Sequence, residues 1–274
     1  MKRPIRLCLF VAALSILLNG VLAVRLSMRT TPPRPDRAEA KRRHSSLLDR
    51  KTLPPREQVT RTSLLNSLVE RHGYRSYLEI GQGNRRMNYD WVNCRIKIGV
   101  DPDRSLNAAY QLTSDDFFAI NNDAYDLIFI DGLHTAEQVG RDILSSLRVL
   151  RPNGTILVHD CNPTTREMQL VPQRQLTWTG DVWKAWVTLR AERSDLTMYV
   201  IDVESGCGLI RRGRQATVRL PAELTYEALA RDRTALLNLV DVTYFLEDLR
   251  RGGTPSAAGE PGGMPVAAAQ APAK

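Results

Sequence analysis

Tyr125-Asp126-Leu127-Ile128-Phe129-Ile130-Asp131-Gly132-Leu133-His134 is the stretch whose reading decides the fold. Four apolar residues in a row, Leu127 to Ile130, suit a strand covered on both faces, and the run stops abruptly on an acid, a glycine and a histidine. A parallel α/β sheet places ligands just outside the carboxyl ends of such strands, so Asp131 and His134 are predicted to stand in that crevice. The competing reading gives Asp131 to the cap of the next helix and His134 to its first turn. Repetition favours the crevice. Three further apolar runs also end on an acid: Tyr77-Leu78-Glu79-Ile80-Gly81, Ile98-Gly99-Val100-Asp101 and Ile156-Leu157-Val158-His159-Asp160.

Outward from this stretch, strand and helix signals alternate. Strands are predicted near 76–80, 96–100, 126–130 and 155–159, and helices near 135–150 and 179–192. An amphipathic helix over 57–72, with Leu64, Leu65, Leu68 and Val69 at helical spacing and Gly73 as its stop, leads into the first strand. This alternation predicts an α/β fold with a doubly wound, mostly parallel sheet. Thr197–Val203 and Gly208–Arg211, joined by Glu204-Ser205-Gly206, read as a closing hairpin and hence an antiparallel edge. A helical stretch over 223–251 follows, either packed on the sheet or used for association.

At 274 residues and 43% hydrophobic content, the chain is sized for one good core. Its formal charge of +8 divides into +3 over residues 1–6, +7 over 25–61 and −2 from residue 62 onward. The globular part is therefore not basic, which argues against a nucleic-acid groove. Residues 7–24 are apolar except for Ser15, Asn19 and Gly20, and read as a membrane anchor or as a signal peptide with Val21-Leu22-Ala23 at the cleavage site. The arginine-rich flank after residue 24 is the more positive one, which favours an uncleaved anchor with the folded domain in the cytoplasm over a secreted form. Residues 25–56, basic and proline-rich, read as a linker that either rests on anionic headgroups or is simply solvated. Residues 252–274, rich in Gly, Pro and Ala, read as a disordered tail. The four cysteines, Cys8, Cys94, Cys161 and Cys207, lack paired or CxxC spacing and suit isolated thiols in a reducing compartment.

The loop after the first strand, Glu79-Ile80-Gly81-Gln82-Gly83-Asn84-Arg85-Arg86, resembles the dinucleotide fingerprint in its first two glycines but has Arg86 at the third. A pyrophosphate site needs a small residue there so that the helix can approach. S-adenosylmethionine makes no such demand: Glu79 can accept hydrogen bonds around its amino-acid tail, while Gly81 and Gly83 admit close approach of the backbone. Asp101, at the end of the second strand, has the position for ribose hydroxyls in either cofactor. Asp115 or Asp116, in Thr113-Ser114-Asp115-Asp116-Phe117-Phe118 after an expected third strand, reads either as a partner for the adenine amino group or as a helix cap.

The ordered run Tyr-Leu-Glu-Ile-Gly, Lys97-Ile98-Gly99-Val100-Asp101-Pro102, Ser114-Asp115-Asp116-Phe117-Phe118, Phe129-Ile130-Asp131-Gly132-Leu133-His134, Pro152-Asn153-Gly154-Thr155, His159-Asp160-Cys161-Asn162-Pro163 and Gly180-Asp181-Val182-Trp183-Lys184 resembles class I S-adenosylmethionine-dependent methyltransferases. The nearest branch holds macrocin O-methyltransferase-like and cephalosporin hydroxylase-like proteins, and the resemblance spans about residues 74–212. It implies a Rossmann-like fold and methylation of a small-molecule or glycan hydroxyl. The family's longer glycine-rich first loop is here filled by Arg85, Arg86 and Met87.

Methyl transfer to a hydroxyl is an in-line displacement that needs the acceptor oxygen positioned and its proton removed. His134 suits a general base near neutral pH. Asp131 and Asp160 end neighbouring strands and could converge on a magnesium-like cation. The resemblance implies these same roles for Asp131, His134 and Asp160. Metal-dependent relatives commonly have an acid where this chain has His159, which makes His159 a softer third ligand. Trp183 and Trp186 lie three apart on one helical face and suit the core, whereas Trp178 is the better acceptor-lid residue. Two alternatives stand beside this reading: a nicotinamide-dependent oxidoreductase, and a non-catalytic membrane-anchored protein that kept the fold.

Overall fold

The computed structural model describes residues 37–48 and 50–251. The expected anchor or signal at 1–24, the first part of the linker and the tail at 252–274 lie outside the described residues. The chain divides into two units, residues 1–40 and 41–274. Only residues 37–40 of the first are described, within helix α1 (Arg37–His44). Among the described residues no helix is long and apolar enough to cross a membrane.

The second unit is a seven-stranded sheet with helices on both faces. Its strands are β1 (Ser76–Ile80), β2 (Ile96–Val100), β3 (Tyr125–Ile130), β4 (Leu150–Val158), β5 (Leu196–Ile201), β6 (Cys207–Arg212) and β7 (Leu239–Val240), in the spatial order β2-β1-β3-β4-β6-β5-β7. The first four pair in parallel, and β6 runs antiparallel to both β4 and β5. The predicted hairpin is thus present, but β5 is not the last strand. The carboxy-terminal stretch, expected to be helical throughout, supplies β7, which pairs in parallel with β5 at the edge. The expected third strand before Asp115 is reduced to a single bridge between Val100 and Tyr110.

Alternation along the central strands sorts the core into two layers. Ile128 and Ile130 of β3 face a cluster built with Phe117 of α3 (Ser114–Ile120), Val139 and Ile143 of α4 (Ala136–Val149), Trp183 and Trp186 of α5 (Val182–Glu192) and Leu229 of α6 (Tyr226–Leu237). Leu127 and Phe129 face the other cluster, with Leu64, Leu65 and Leu68 of α2 (Arg61–His72) and Phe245, Leu246 and Leu249 of α7 (Val242–Arg250). Leu47 joins this second cluster and its N–H donates to Ser67 Oγ at 2.9 Å, so part of the stretch read as a linker is packed on the domain. Helix α2 starts later than the periodicity alone suggested, because Thr60 and Ser63 form a reciprocal capping box there. Gly73, in the left-handed conformation at φ +64°, ends it. Trp183 and Trp186 are fully buried, as their spacing predicted.

Candidate active site

Strand order reverses direction at β1: the chain goes outward to β2 and then returns past β1 to β3. The loops leaving β1 and β3 therefore part at this point, which is where an open α/β sheet forms its crevice. Before parting, the two loops touch at their first residues. Gly81 has φ +77°, and a Cβ at this position would collide with the Asp131 carbonyl and the Gly132 Cα. The N–H groups of Gly81 and Gln82 donate to Val100 O at 2.9 and 3.1 Å, which draws the β1 loop across the end of β2. Asp101 then fastens it: one carboxylate oxygen accepts from Gly83 N at 2.8 Å and the other from Asp103 N at 2.9 Å.

Beside this loop lies a cluster of acids and imidazoles. His134 Nε2 is 3.3 Å from Asp131 Oδ1 and its Nδ1 is 3.3 Å from Asp160 Oδ2. His159 Nδ1 lies 3.2 Å from Asp131 Oδ1 and 3.3 Å from Asp160 Oδ2, and its Nε2 lies 3.0 Å from Glu204 Oε2. Arg61 Nη1 donates to Glu204 Oε2 at 2.7 Å. The backbone is bent to deliver these groups, since Asp160 at φ +61° and Glu204 at φ +52° both adopt the left-handed region without being glycine. Cys161 N donates to Gly206 O and Asn162 N to Ser205 O, at 3.1 and 2.7 Å, zipping the loop after β4 to the β5–β6 turn.

The charges hold one another in place. Burial alone would push the Asp131 carboxyl up, but His159, His134 and Arg61 outweigh it and hold it well below the usual carboxylate range. Burial likewise opposes charge on both imidazoles, yet the carboxylates of Asp131 and Asp160 raise His134 above its ordinary value and His159 far above it. Burial would also raise Glu204, whose carboxyl is instead brought down to about 2 by His159 and Arg61.

Residues 56–161 match the profile of a family described as a methyltransferase domain. No curated protein sequence matches the chain. Among solved structures, the chain is similar to the SAH-bound methyltransferase PaMTH1 of Podospora anserina, at 15% identity over 71% of this chain and 96% of that one, with a TM-score of 0.43. It is similar to the O-methyltransferase TomG of Streptomyces achromogenes at 17% identity, over 69% and 96% of the two chains, TM-score 0.43. An O-methyltransferase of Bacillus cereus shares 14% identity over 70% and 88%, TM-score 0.38.

The predicted site residues separate into three groups. Asp131, His134, His159 and Asp160 come together, and Gly81, Gly83 and Asp101 form the adjoining loop. Neither reading of helix capping holds for Asp131 and His134: Thr135 caps α4, accepting from Gln138 N at 3.4 Å, so His134 precedes the helix instead of lying in its first turn. Glu79 is 1% exposed, and its oxygens accept from Tyr77 Oη at 2.7 Å and Asn88 Nδ2 at 3.2 Å, so its carboxyl is engaged within the protein. Asp115 lies in the first turn of α3, which Thr113 caps, and meets Gln138 Nε2 at 3.2 Å and Arg141 Nη2 at 3.3 Å.

The donor set fits a divalent cation. Asp131, His134 and Asp160 each offer one ligand atom within 4.8 Å of the others, and His134 Nδ1 is buried without a hydrogen bond although Asp160 is near. His159, the expected third ligand, has both ring nitrogens against carboxylates. Trp178 stacks on His134, ring centroids 5.3 Å apart and planes 24° from parallel, with its Nε1 donating to Leu170 O at 2.6 Å. Asp181 accepts from Ala136 N at 2.7 Å and pairs with Lys184 at 3.2 Å, so these two serve the start of α4 and α5.

Sequence reading missed Arg61 and Glu204. Arg61 is the first residue of α2, and Glu204 looked like an ordinary turn residue. Their only signal is topological: the hairpin turn lies beside the carboxyl end of β4.

Proposed function

We propose that this chain is an S-adenosylmethionine-dependent methyltransferase that methylates a hydroxyl of a small molecule or glycan. The observation that carries this reading is the meeting of the glycine loop, Asp101 and the Asp131–His134–Asp160 cluster at the point where the strand order reverses. Gly81 lets the β1 loop pack against the start of the β3 loop, Gly83, with open space where a Cβ would stand, leaves the backbone free for close approach of the cofactor, and Asp101, with lone pairs left beyond its two backbone contacts, takes the ribose hydroxyls. S-adenosylmethionine, when bound, supplies the electrophilic methyl group. Asp131 and Asp160 flank His134 and orient its ring. His134 receives the acceptor's proton, and the carboxylates of Asp131 and Asp160 stabilise the imidazolium that forms, its Nδ1 lying buried without a hydrogen bond beside Asp160. Trp178 covers the ring and walls the acceptor side.

A second arrangement rests on the same orphaned nitrogen. Asp131, Asp160 and His134 would hold a divalent cation such as magnesium, whose Lewis acidity lowers the acceptor hydroxyl's pKa, and His134 then serves as a ligand in place of a base. A nicotinamide site is disfavoured because the β1 loop runs into a three-residue turn, Tyr89–Trp91, and not into a helix whose amino terminus could face a pyrophosphate. Anchoring in a membrane through residues 7–24, with the folded domain in the cytoplasm, completes the proposal and rests on the sequence pattern.

The test is transfer of tritiated methyl from S-adenosylmethionine to a small-molecule extract by the full chain, with and without EDTA. Label in a discrete product, lost in His134→Ala while S-adenosylhomocysteine still binds, is the expected result. EDTA-sensitive transfer selects the metal arrangement. Transfer that survives His134→Ala removes His134 from both.

A further inference from the structure

We propose that Arg61 and Glu204 form a clamp that positions His159, and through it Asp131, for the reaction proposed above. This inference rests on that reading only for its consequence, not for its geometry. An imidazole ring turns freely about its last side-chain bond unless both nitrogens are held. Here Nδ1 is held at 3.2 Å by Asp131 Oδ1 and Nε2 at 3.0 Å by Glu204 Oε2. Glu204 is held in turn: its same oxygen takes Arg61 Nη1 at 2.7 Å, and the left-handed backbone at φ +52° aims the side chain at β4. Arg61 lies at the start of α2, behind the Thr60–Ser63 capping box, and its Nε stands 3.9 Å from Asp131 Oδ2. The guanidinium therefore spans the two carboxylates that His159 also joins.

The four side chains come from α2, from the ends of β3 and β4, and from the β5–β6 turn. Three elements distant in sequence thus fix one ring. Glu204 lies beyond residues 56–161 and is no part of the segment matched by the family profile. Arg61 and Glu204 make their hydrogen bonds away from the glycine loop, which touches this group only through the backbone of Asp131 beside Gly81. The clamp and the cofactor loop are separable, and Arg61 and Glu204 are positioning residues, not catalytic ones.

Imidazole nitrogen spectra of the full chain labelled with ¹⁵N-histidine test this, with His159→Gln used to assign the ring. The wild type is expected to show a slowly exchanging His159 Nε2–H. Glu204→Ala loses it, and Glu204→Gln, which keeps an acceptor oxygen, retains it. S-adenosylhomocysteine binding is expected to change by less than about twofold in either variant, since the loop is a separate site. Methyl transfer to the labelled product should fall on the order of 100-fold in Glu204→Ala, the cost of a small misplacement in a reacting cleft, and recover in part in Glu204→Gln. A His159 signal unchanged in Glu204→Ala, or no slowly exchanging Nε2–H in the wild type, overturns the clamp. So does loss of S-adenosylhomocysteine binding in step with transfer in both variants, which would mark a general structural role. Absence of binding by the wild type would instead sink the methyltransferase reading and leave the ring signals to decide the clamp.

Discussion

Replacing Glu79 with glutamine should remove a pH-dependent loss of stability. The carboxyl is 1% exposed, and burial pushes it up from 4.5 to about 8 despite hydrogen bonds from Tyr77 and Asn88 that favour the charged form. An acid whose folded value is raised binds its proton more tightly in the folded state, so stability falls as pH climbs through the interval from 4.5 to about 8 and is level on either side. At about 1.4 kcal/mol per pH unit, that interval sets a ceiling of roughly 5 kcal/mol on the loss. Glutamine has nearly the same shape, accepts from Asn88 and donates to Tyr77 Oη, and cannot ionise. Urea unfolding at pH 5, 7 and 9 should therefore show the wild type losing ~2–5 kcal/mol more than Glu79→Gln across the range. Parallel pH dependence in the two proteins would show that Glu79 titrates as an exposed carboxyl does and would refute the buried network.

Other perturbations have equally definite outcomes. Gly81→Ala places a Cβ against the Asp131 carbonyl at φ +77° and should cost ~1–3 kcal/mol in thermal unfolding and weaken S-adenosylhomocysteine binding measured by calorimetry. Asp181→Ala removes the acceptor of Ala136 N and should lower stability by about 1 kcal/mol in urea titration. Trp178→Ala uncovers His134 and should reduce kcat/KM for the acceptor by about tenfold, with S-adenosylhomocysteine affinity unchanged. Glu204, brought down to about 2, contributes stability that is present above pH 4.5 and lost as pH falls toward 2, so Glu204→Gln should flatten acid unfolding in that window.

The sheet was legible because its strands announce themselves locally. Runs such as Leu127–Ile130 are apolar on both faces, and the acids that follow mark their carboxyl ends. The convergence of Asp131, His134 and Asp160 followed from strand adjacency. What local pattern hides is what depends on partners far along the chain. The two-residue strand Leu239–Val240 has no periodicity of its own and exists because β5 offers it an edge. Leu47 sits among prolines and charges, yet the face of α2 takes it in. Arg61 and Glu204 are 143 residues apart and meet only once the hairpin folds back beside β4. His134 looked like a helical residue because Asp131 and His134 stand three apart, but Thr135 is the better cap and starts α4 one residue later.

The central claim is that the β1 loop and Asp101 bind S-adenosylmethionine. Calorimetry on the full chain with S-adenosylmethionine, S-adenosylhomocysteine and NAD tests it most directly. Binding of the first two, lost in Asp101→Ala, with no heat from NAD, is the predicted result; a folded protein that binds neither, or that binds NAD instead, would contradict it.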